Sequence, residues 1–391
     1  MKSLFSVIFV LLVAATPSLY ARVTLNAGSS SFNIVNYGAK GDGKTDDSQA
    51  FEKAWHDMCS ATEGTPTLLI PKGKSFMLQP MLFKGPCKIN IELQGTLVAP
   101  KSVDAWKWPD NNRVGWIKFS DINGLVIGGG GTFDGQGAAW WTKYPSASNR
   151  PSALQFLGCK NLALSATNHI NSPRNHIIIS TCSDSSISNI HINSPEGSPN
   201  TDGIDISRSS NILIKDSTIQ SGDDCVAINN GCSYINITGI TCGPGHGISV
   251  GSLGKDGKFE TVEEVHVRNC IFQGIKNGAR IKTWPGGSGY ARKIRFEDII
   301  LNGAKNPIII DQNYKDYQRN GPAKAVKVSD ITYRNITGTS LSEEAISLNC
   351  DPIGCTDIAC PFDYRFTGLL DPLTSPPICK CILHVGIERV F

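Results

Sequence analysis

The segment NIHINSPEGSPNTDGIDISRSSNILIKDSTIQSGDDCVAINNGCSYINI, residues 189–237, contains one short hydrophobic pattern three times. The pattern begins at Asn189, Asn211 and Tyr234, which are 22 and 23 residues apart. Further runs of the same kind are Leu125–Ile127, Asn161–Leu164, Val265–Val267, Lys293–Phe296 and Ile331–Tyr333. Self-similarity at a period of roughly 20–50 residues indicates a solenoid, in which each repeat packs on the one before it.

The spacing between these runs decides the fold class. Each repeat is too short to form a β-sandwich by itself, and no helix-length segment separates the runs, which argues against a parallel sheet of βαβ units. We therefore predict an all-β fold, a parallel β-helix whose coils stack about 4.8 Å apart. In this fold the Ile, Val and Leu side chains of the runs face inward.

A helix is predicted over residues 47–58, ahead of the repeats. Its apolar residues recur on one face at helical spacing, and they are Ala50, Phe51, Ala54, Trp55 and Met58. The candidate N-cap residues are Thr45, Asp46, Asp47 and Ser48. The preceding GDGKTDD lacks the residue order of a calcium-binding loop, so we interpret it as a turn. The helix is expected to cover the open N-terminal end of the solenoid.

Composition restricts the class of protein. Hydrophobic residues make up 40% and charged residues 18% of the 391 positions, which is typical of a folded protein with a large core. The net charge of +3 says little about partners. No block of Lys and Arg of the kind that binds nucleic acid is present, so we expect no nucleic-acid partner.

The N-terminus has the pattern of a secretory signal peptide. Lys2 is followed by LFSVIFVLLVAAT, which is too short to span a bilayer, and a cleavage position lies near Ala21. The alternatives are a membrane anchor and a buried core segment. No later segment reaches the roughly 20 apolar residues of a transmembrane helix. We expect residues 1–21 to be removed, and the remaining chain to be secreted and extracellular, with no membrane attachment.

Thirteen cysteines in a secreted chain are expected mostly to pair, with at least one thiol left over. Cys350 and Cys355 have the spacing of a small disulfide loop. Neither paired C-x-x-C clusters nor histidines at ligand spacing are found, so a zinc site is not expected. Two glycosylation sequons, at Asn236 and Asn335, fit the secretory route.

The period of the solenoid also suggests a cluster of acids. Asp202, Asp224 and His246 are each 22 residues apart, so three successive coils place them in one column, with Asp223 beside it. Clustered carboxylates raise the pKa of at least one member, and a protonated acid beside an ionised base suits cleavage of glycosidic bonds. The alternative is that these Asp residues, adjacent to Gly, only form turns.

Two cations follow in the next coil. Arg280 and Lys282 are two residues apart, which places both side chains on one face of a strand. They either pair with the carboxylates or bind an anionic substrate, whose carboxylate Arg contacts with two parallel hydrogen bonds.

Four motifs in order carry a resemblance to a known family. The motifs are N-T-D at 200–202, G-D-D-C at 222–225, G-H-G at 245–247 and R-I-K at 280–282. In this order they resemble the signatures of the polygalacturonases, glycoside hydrolase family 28, and the resemblance covers about residues 32–359. It implies a right-handed parallel β-helix that hydrolyses α-1,4 bonds between galacturonic acid units with inversion. It implies no metal and no other cofactor.

The resemblance assigns catalytic roles by position. Asp223 matches the general acid, and Asp202 and Asp224 match the pair that holds and activates the water. The acid and base of an inverting enzyme lie roughly 6.5–9.5 Å apart, which leaves room for that water. His246 matches a histidine beside the acid that influences its protonation.

It also assigns substrate-binding roles and disulfides. Arg280 and Lys282 match residues that hold a substrate carboxylate, Tyr314 matches a subsite tyrosine, and Asn200 shapes the site. The expected partner is therefore polygalacturonate, or pectin, bound by a monomer. The disulfides expected on this basis are Cys225–Cys242 and Cys350–Cys355, and Cys59–Cys87 is a further guess.

The chain departs from the family pattern near its C-terminus. We expect a single domain over 22–359, followed by an atypical tail, 360–391, with four prolines, three cysteines and no apolar alternation. The next strand of the family should begin near 358, so the tail is interpreted as truncated or shifted. Lys315 stands where many relatives have a cysteine.

Alternative functions remain open on the sequence. A pectate lyase would need calcium-binding carboxylates and an Arg base. A related hydrolase would act on rhamnogalacturonan or xylogalacturonan. A defective C-terminus would leave an inactive β-helix that only binds pectin. The choice between endo and exo action depends on loop shape, which the sequence does not give.

Overall fold

The repeated hydrophobic runs fold into a stack of parallel strands. The computed structural model describes residues 30–62, 64–108, 115–314, 324–359 and 365–368. Within these residues, Ile187, Ile214 and Ile237 lie side by side on successive strands, and the ladder continues through Val267 and Phe296. All five side chains are fully buried. The predicted parallel β-helix is therefore confirmed.

The coils contribute strands to two parallel sheets. The ten-stranded sheet takes one strand from each successive coil, in chain order. Its strands are Met81–Lys84, Gly115–Ser120, Ser152–Leu157, Ile177–Ser180, Ile204–Ser207, Asp224–Ile228, His246–Leu253, Asn277–Thr283, Asn306–Asp311 and Ile346–Asn349.

The nineteen-stranded sheet covers the remaining faces of the solenoid. Its strands are Ser31–Asn33, Asp42–Asp46, Thr67–Ile70, Ser75–Met77, Asn90–Leu93, Thr96–Val98, Val126–Gly128, Thr132–Asp134, Ala163–Ser165, Asn168–Ile170, Ser183–Ser188, His191–Asn193, Ser210–Gln220, Cys232–Cys242, Phe259–Gln273, Ser288–Ala304, Lys327–Ser340, Ile358–Ala359 and Arg365–Gly368. Ser210–Gln220 pairs with both Ser183–Ser188 and His191–Asn193, so two short strands of one coil continue as one long strand in the next.

The predicted helix covers the N-terminal end of the solenoid. It spans Ser48–Cys59 and buries the five predicted apolar residues. The Trp55 ring lies 4.9 Å from Phe83 and 5.9 Å from Phe119, centroid to centroid, and its indole N–H donates to the carbonyl of Lys84. The other helix is Ala138–Lys143, and the 3₁₀ turns are Ile34–Tyr37, Val103–Ala105, Ala147–Asn149 and Lys255–Gly257. None of the described helices is long and apolar enough to cross a membrane.

The segment before this helix differs from the prediction. Asp47 occupies the N-cap position, but its carboxylate accepts hydrogen bonds from the backbone N–H groups of Lys40 and Gly41, at 2.7 and 3.1 Å. The Asp47 carboxylate is therefore not available to cap the helix, and Oδ1 of Asp46, another predicted candidate, accepts a hydrogen bond from the N–H of Ser48 at 3.1 Å. Asp42–Asp46, interpreted as a turn, is an irregular strand paired with Ser75–Met77.

Six of the ten described cysteines pair in disulfides. The disulfides are Cys59–Cys87, Cys225–Cys242 and Cys350–Cys355, as expected. Four more of the described cysteines are buried outside any disulfide, and they are Cys159, Cys182, Cys232 and Cys270. These four lie in the interior, where a thiol packs as a small apolar side chain.

Strand pairing continues past the expected domain boundary at residue 359. Ile358–Ala359 and Arg365–Gly368 both pair with Lys327–Ser340. The predicted signal peptide, 1–21, lies outside the described residues, as do Lys315 and most of the tail 360–391.

Two neighbouring isoleucines provide a test of the interior. Ile299 is fully buried and Ile300 is 46% exposed in the same strand. We expect Ile299→Ala to lower the free energy of unfolding by about 2–5 kcal/mol, because it leaves a cavity in the ladder. Ile300→Ala is the matched control and should cost less than about 1 kcal/mol. Unfolding in guanidinium chloride measures both, and equal losses would contradict the assigned interior.

Candidate active site

The strand register brings the predicted acids and histidine together. Asp224 and His246 are direct partners on adjacent strands of the ten-stranded sheet. The same offset pairs Ile204 with Val226, and the N–H of Gly203 donates to the carbonyl of Asp224 at 2.9 Å. The residue before Gly203 is Asp202, which therefore lies one coil from Asp224.

Asp223 lies at the exposed edge of this column. Its Oδ2 accepts a hydrogen bond from Nδ2 of Asn200 at 3.0 Å, and its Oδ1 accepts one from the N–H of Asp224 at 3.0 Å. Nδ1 of His246 lies 2.8 Å from the same Oδ1. The side chains of Asp223 and His246 are both 20% exposed, so this carboxyl is held from several sides and still reaches solvent.

Asp224 is buried, 1% exposed, in a network of donors. Its Oδ2 accepts from Nζ of Lys282 at 2.7 Å, and its Oδ1 accepts from Nη2 of Arg280 at 2.5 Å and from Oγ of Ser249 at 2.9 Å. Burial raises the pKa of Asp224, but Lys282 and Arg280 outweigh it and hold the pKa below its usual value. The two predicted cations therefore pair with Asp224, which stays ionised.

Asp202 has the opposite electrostatic environment. Burial, followed by the nearby carboxylates of Asp205, Asp223 and Asp224, raises the pKa of Asp202 well above its usual value, against the attraction of Lys282. A carboxylate in this environment binds a proton readily. Groups whose pKa values are displaced in opposite directions mark acid and base roles in an active site.

Asp205 and Arg150 are two further residues of the site that were not predicted from the sequence. Asp205 lies between two inward-facing isoleucines of Ile204–Ser207, accepts a hydrogen bond from the amide of Asn175, and has its pKa raised by burial to about 7. In I-D-I-S the alternation of Asp205 with two isoleucines places its side chain on the outward face of the strand, and this pattern could have identified Asp205 from the sequence. Arg150 donates from Nη2 to Oδ1 of Asn200 at 3.0 Å, and no sequence spacing pointed to that contact.

Tyr314 lies beside the cations. Nζ of Lys282 is 5.6 Å from the centre of the Tyr314 ring, within the range of a cation–π contact. The ring of Trp284 meets Tyr314 edge to face at 5.5 Å. The structure thus places Tyr314 next to the charged end of the column.

Asp223, Asp224 and His246 also offer ligand atoms within 4.8 Å of one another, a spacing that a metal ion can use. Both oxygens of Asp224 already accept hydrogen bonds from Lys282 and Arg280. A metal ion bound to Asp224 would have to displace Nζ of Lys282 or the guanidinium of Arg280. The donor set is therefore better suited to proton transfer than to metal binding.

A parallel β-helix that carries an ionised and a proton-binding carboxyl on one face has the acid and base groups that hydrolysis of glycosidic bonds requires. The chain belongs to glycosyl hydrolases family 28, whose model matches residues 59–361. A probable polygalacturonase of Arabidopsis thaliana is 51% identical over 338 residues, covering 84% of this chain and 72% of the relative. Polygalacturonase-2 of Solanum lycopersicum is 41% identical over 336 residues, covering 83% and 72%.

Solved structures share the fold. The crystal structure of endo-xylogalacturonan hydrolase from Aspergillus tubingensis superposes with a TM-score of 0.72 at 25% identity. The match covers 89% of this chain and 97% of that one.

The pKa of Asp205 predicts a pH-dependent stability. A carboxyl whose pKa rises from 3.8 to about 7 on folding costs stability as the pH rises through that interval. Asp205→Asn should therefore stabilise the protein by about 1–3 kcal/mol at pH 8 and have little effect at pH 4. Urea unfolding at both pH values measures this, with the exposed Asp216→Asn as the control for loss of one charge. The same change at both pH values would contradict it.

Proposed function

We propose that the protein hydrolyses α-1,4 bonds between galacturonic acid units of pectin, as a secreted monomer that acts in the cell wall. The observation that carries this proposal is the Asp224–Lys282–Arg280 cluster, set one coil from Asp202 and beside Asp223. The polygalacturonases among its relatives support the choice of substrate.

In the proposed reaction, Asp223 is the general acid. Its proton passes to the glycosidic oxygen as the bond from that oxygen to the anomeric carbon breaks. The amide of Asn200 and the N–H of Asp224 donate to the carboxylate that forms, and His246 lies 2.8 Å from it. Donors already aimed at a developing charge lower the barrier without further reorganisation.

Water attacks from the opposite side. Asp202, in its ionised form, takes the proton of the water as the water oxygen bonds to the anomeric carbon, and its raised pKa makes this carboxylate a stronger base than Asp224. Asp224 is held ionised by Lys282 and Arg280, so its role is to orient that water. Attack opposite to the leaving oxygen inverts the anomeric carbon.

Charge explains the preference for an acidic sugar. Asp224, Arg280 and Lys282 together carry one net positive charge, largely buried, on the open face of the sheet. A substrate carboxylate approaching Arg280 and Lys282 is attracted by this charge, and Tyr314 lies against the same lysine. The cations therefore serve both Asp224 and the substrate.

Product analysis on de-esterified polygalacturonate tests the proposed activity. We expect new reducing ends without the ultraviolet absorbance of unsaturated products, and product lengths separate endo from exo action. Reducing ends with that absorbance would indicate a lyase. Activity only on xylogalacturonan would favour the function of the Aspergillus tubingensis structure. Binding without cleavage of either polymer would leave a pectin-binding protein.

The acid role predicts the effect of one substitution. Asp223→Asn keeps the size of the side chain and one of its two accepted hydrogen bonds, and it removes the proton donor, so kcat should fall by at least about 10³-fold. Reducing-end assays measure kcat, and a thermal unfolding midpoint equal to the wild type shows that the fold is intact. A folded variant that keeps its activity would exclude Asp223 as the acid.

The binding role of the cations predicts a change in KM. Arg280→Ala should raise KM for polygalacturonate about tenfold, equivalent to about 1.4 kcal/mol. It should also weaken the dependence of KM on salt, because one attracting charge is lost. Lys215→Ala, on the nineteen-stranded sheet, is the control for loss of a cation. An unchanged KM would show that Arg280 serves Asp224 alone.

A further inference from the structure

Arg150 is a buried arginine outside the column of acids. It follows the 3₁₀ turn Ala147–Asn149 and precedes the strand Ser152–Leu157, and it is 1% exposed. We propose that Arg150 is a positioning residue that sets the orientation of Asp223 through Asn200. This inference rests on the proposed role of Asp223 as the general acid.

The contacts of Arg150 join separate coils. Nη1 donates to the carbonyl of Pro199 at 2.5 Å and to that of Pro173 at 3.0 Å. Nη2 donates to Oδ1 of Asn200 at 3.0 Å. One planar group thus fixes both the backbone just before Asn200 and its side chain, which is a geometry that Arg supplies and Lys does not.

The chemistry of the guanidinium determines which way the amide of Asn200 faces. A guanidinium only donates, so it must face the oxygen of that amide. The amide nitrogen is then directed to the other side, where Nδ2 donates to Oδ2 of Asp223 at 3.0 Å. Without Arg150 the amide is free to turn over and present its oxygen to the carboxylate.

The contacts from Arg150 through Asn200 to Asp223 matter most when Asp223 gives up its proton. Asp223 becomes a carboxylate as it protonates the leaving oxygen, and a correctly oriented amide donor stabilises that charge. The effect of Arg150 is then expressed in the chemical step and not in substrate binding, because Arg150 is buried and its hydrogen bonds are to Pro173, Pro199 and Asn200. If Arg150 only stabilised the backbone, its substitution would lower the free energy of unfolding and would not change kcat more than KM.

A double-mutant cycle tests the proposal. The variants are Arg150→Met, Asn200→Ala and the double variant, with Arg208→Met, an exposed arginine that donates to Oγ of Ser180, as the control. Arg150→Met should lower kcat about 10–100-fold and change KM less than about threefold. In the Asn200→Ala background the same substitution should lower kcat less than about threefold further, because its route to Asp223 is already cut. Arg150→Lys should restore part of the loss.

Two outcomes would overturn the proposal. One is a folded Arg150→Met that keeps kcat within about twofold of the wild type, and the other is a double variant whose losses multiply. If Arg150→Met does not fold, Arg150→Lys takes its place in the cycle, with a smaller loss expected.

A crystal structure of the substituted protein gives a readout that does not depend on the substrate. We expect the Asn200–Asp223 contact to be lost or reversed in the Arg150 variant, and an unchanged contact would contradict the proposal. An inactive wild-type protein whose variant shows the lost contact would refute the proposed function and leave the positioning inference intact.

Discussion

The ion cluster that Asp224 forms with Lys282 and Arg280 is the interaction on which the rest of the site depends. A carboxylate that is almost fully buried is costly unless it is paired, and here two cations and a hydroxyl supply the pairing. The pairing keeps Asp224 ionised while Asp202, one coil away, binds a proton readily. In the proposed reaction the same cations attract the carboxylate of an acidic sugar. One interaction therefore links the geometry of the site, its acid–base chemistry and the proposed substrate preference.

The solenoid makes this cluster possible. The residues that meet at Asp224 come from three adjacent strands of the ten-stranded sheet, Asp224–Ile228, His246–Leu253 and Asn277–Thr283. Their positions are fixed by a buried ladder of Ile, Val and Phe side chains on the opposite face of the coils. Asp224 and the cations lie on strands, and Asp202 and Asp223 lie in the connections just before the strands Ile204–Ser207 and Asp224–Ile228. Because the interior is closely packed, these strands give the site the rigid support that acid–base geometry requires.

Much of this arrangement was predictable, because in a solenoid two residues one repeat apart in the sequence become neighbours in space. The 22-residue spacing gave both the fold and the meeting of Asp224 with His246. Other features depend on which donors compete for a side chain, and sequence spacing does not show this. The Asp47 carboxylate accepts from the N–H groups of Lys40 and Gly41 and not from the helix. Arg150 reaches Asn200 from the connection before the strand Ser152–Leu157. Asp205 was passed over because an outward polar residue on a strand is ordinary until its burial is known.

We propose that water attacks the anomeric carbon from the side opposite to the leaving oxygen, which Asp223 protonates. The configuration of the first product shows whether this is so. Proton NMR during hydrolysis of polygalacturonate follows the newly formed reducing ends before they equilibrate. The account predicts that the β-anomer appears first, because the bond that is cleaved is α. An α-anomer appearing first would show retention and would contradict the roles assigned to Asp202, Asp223 and Asp224.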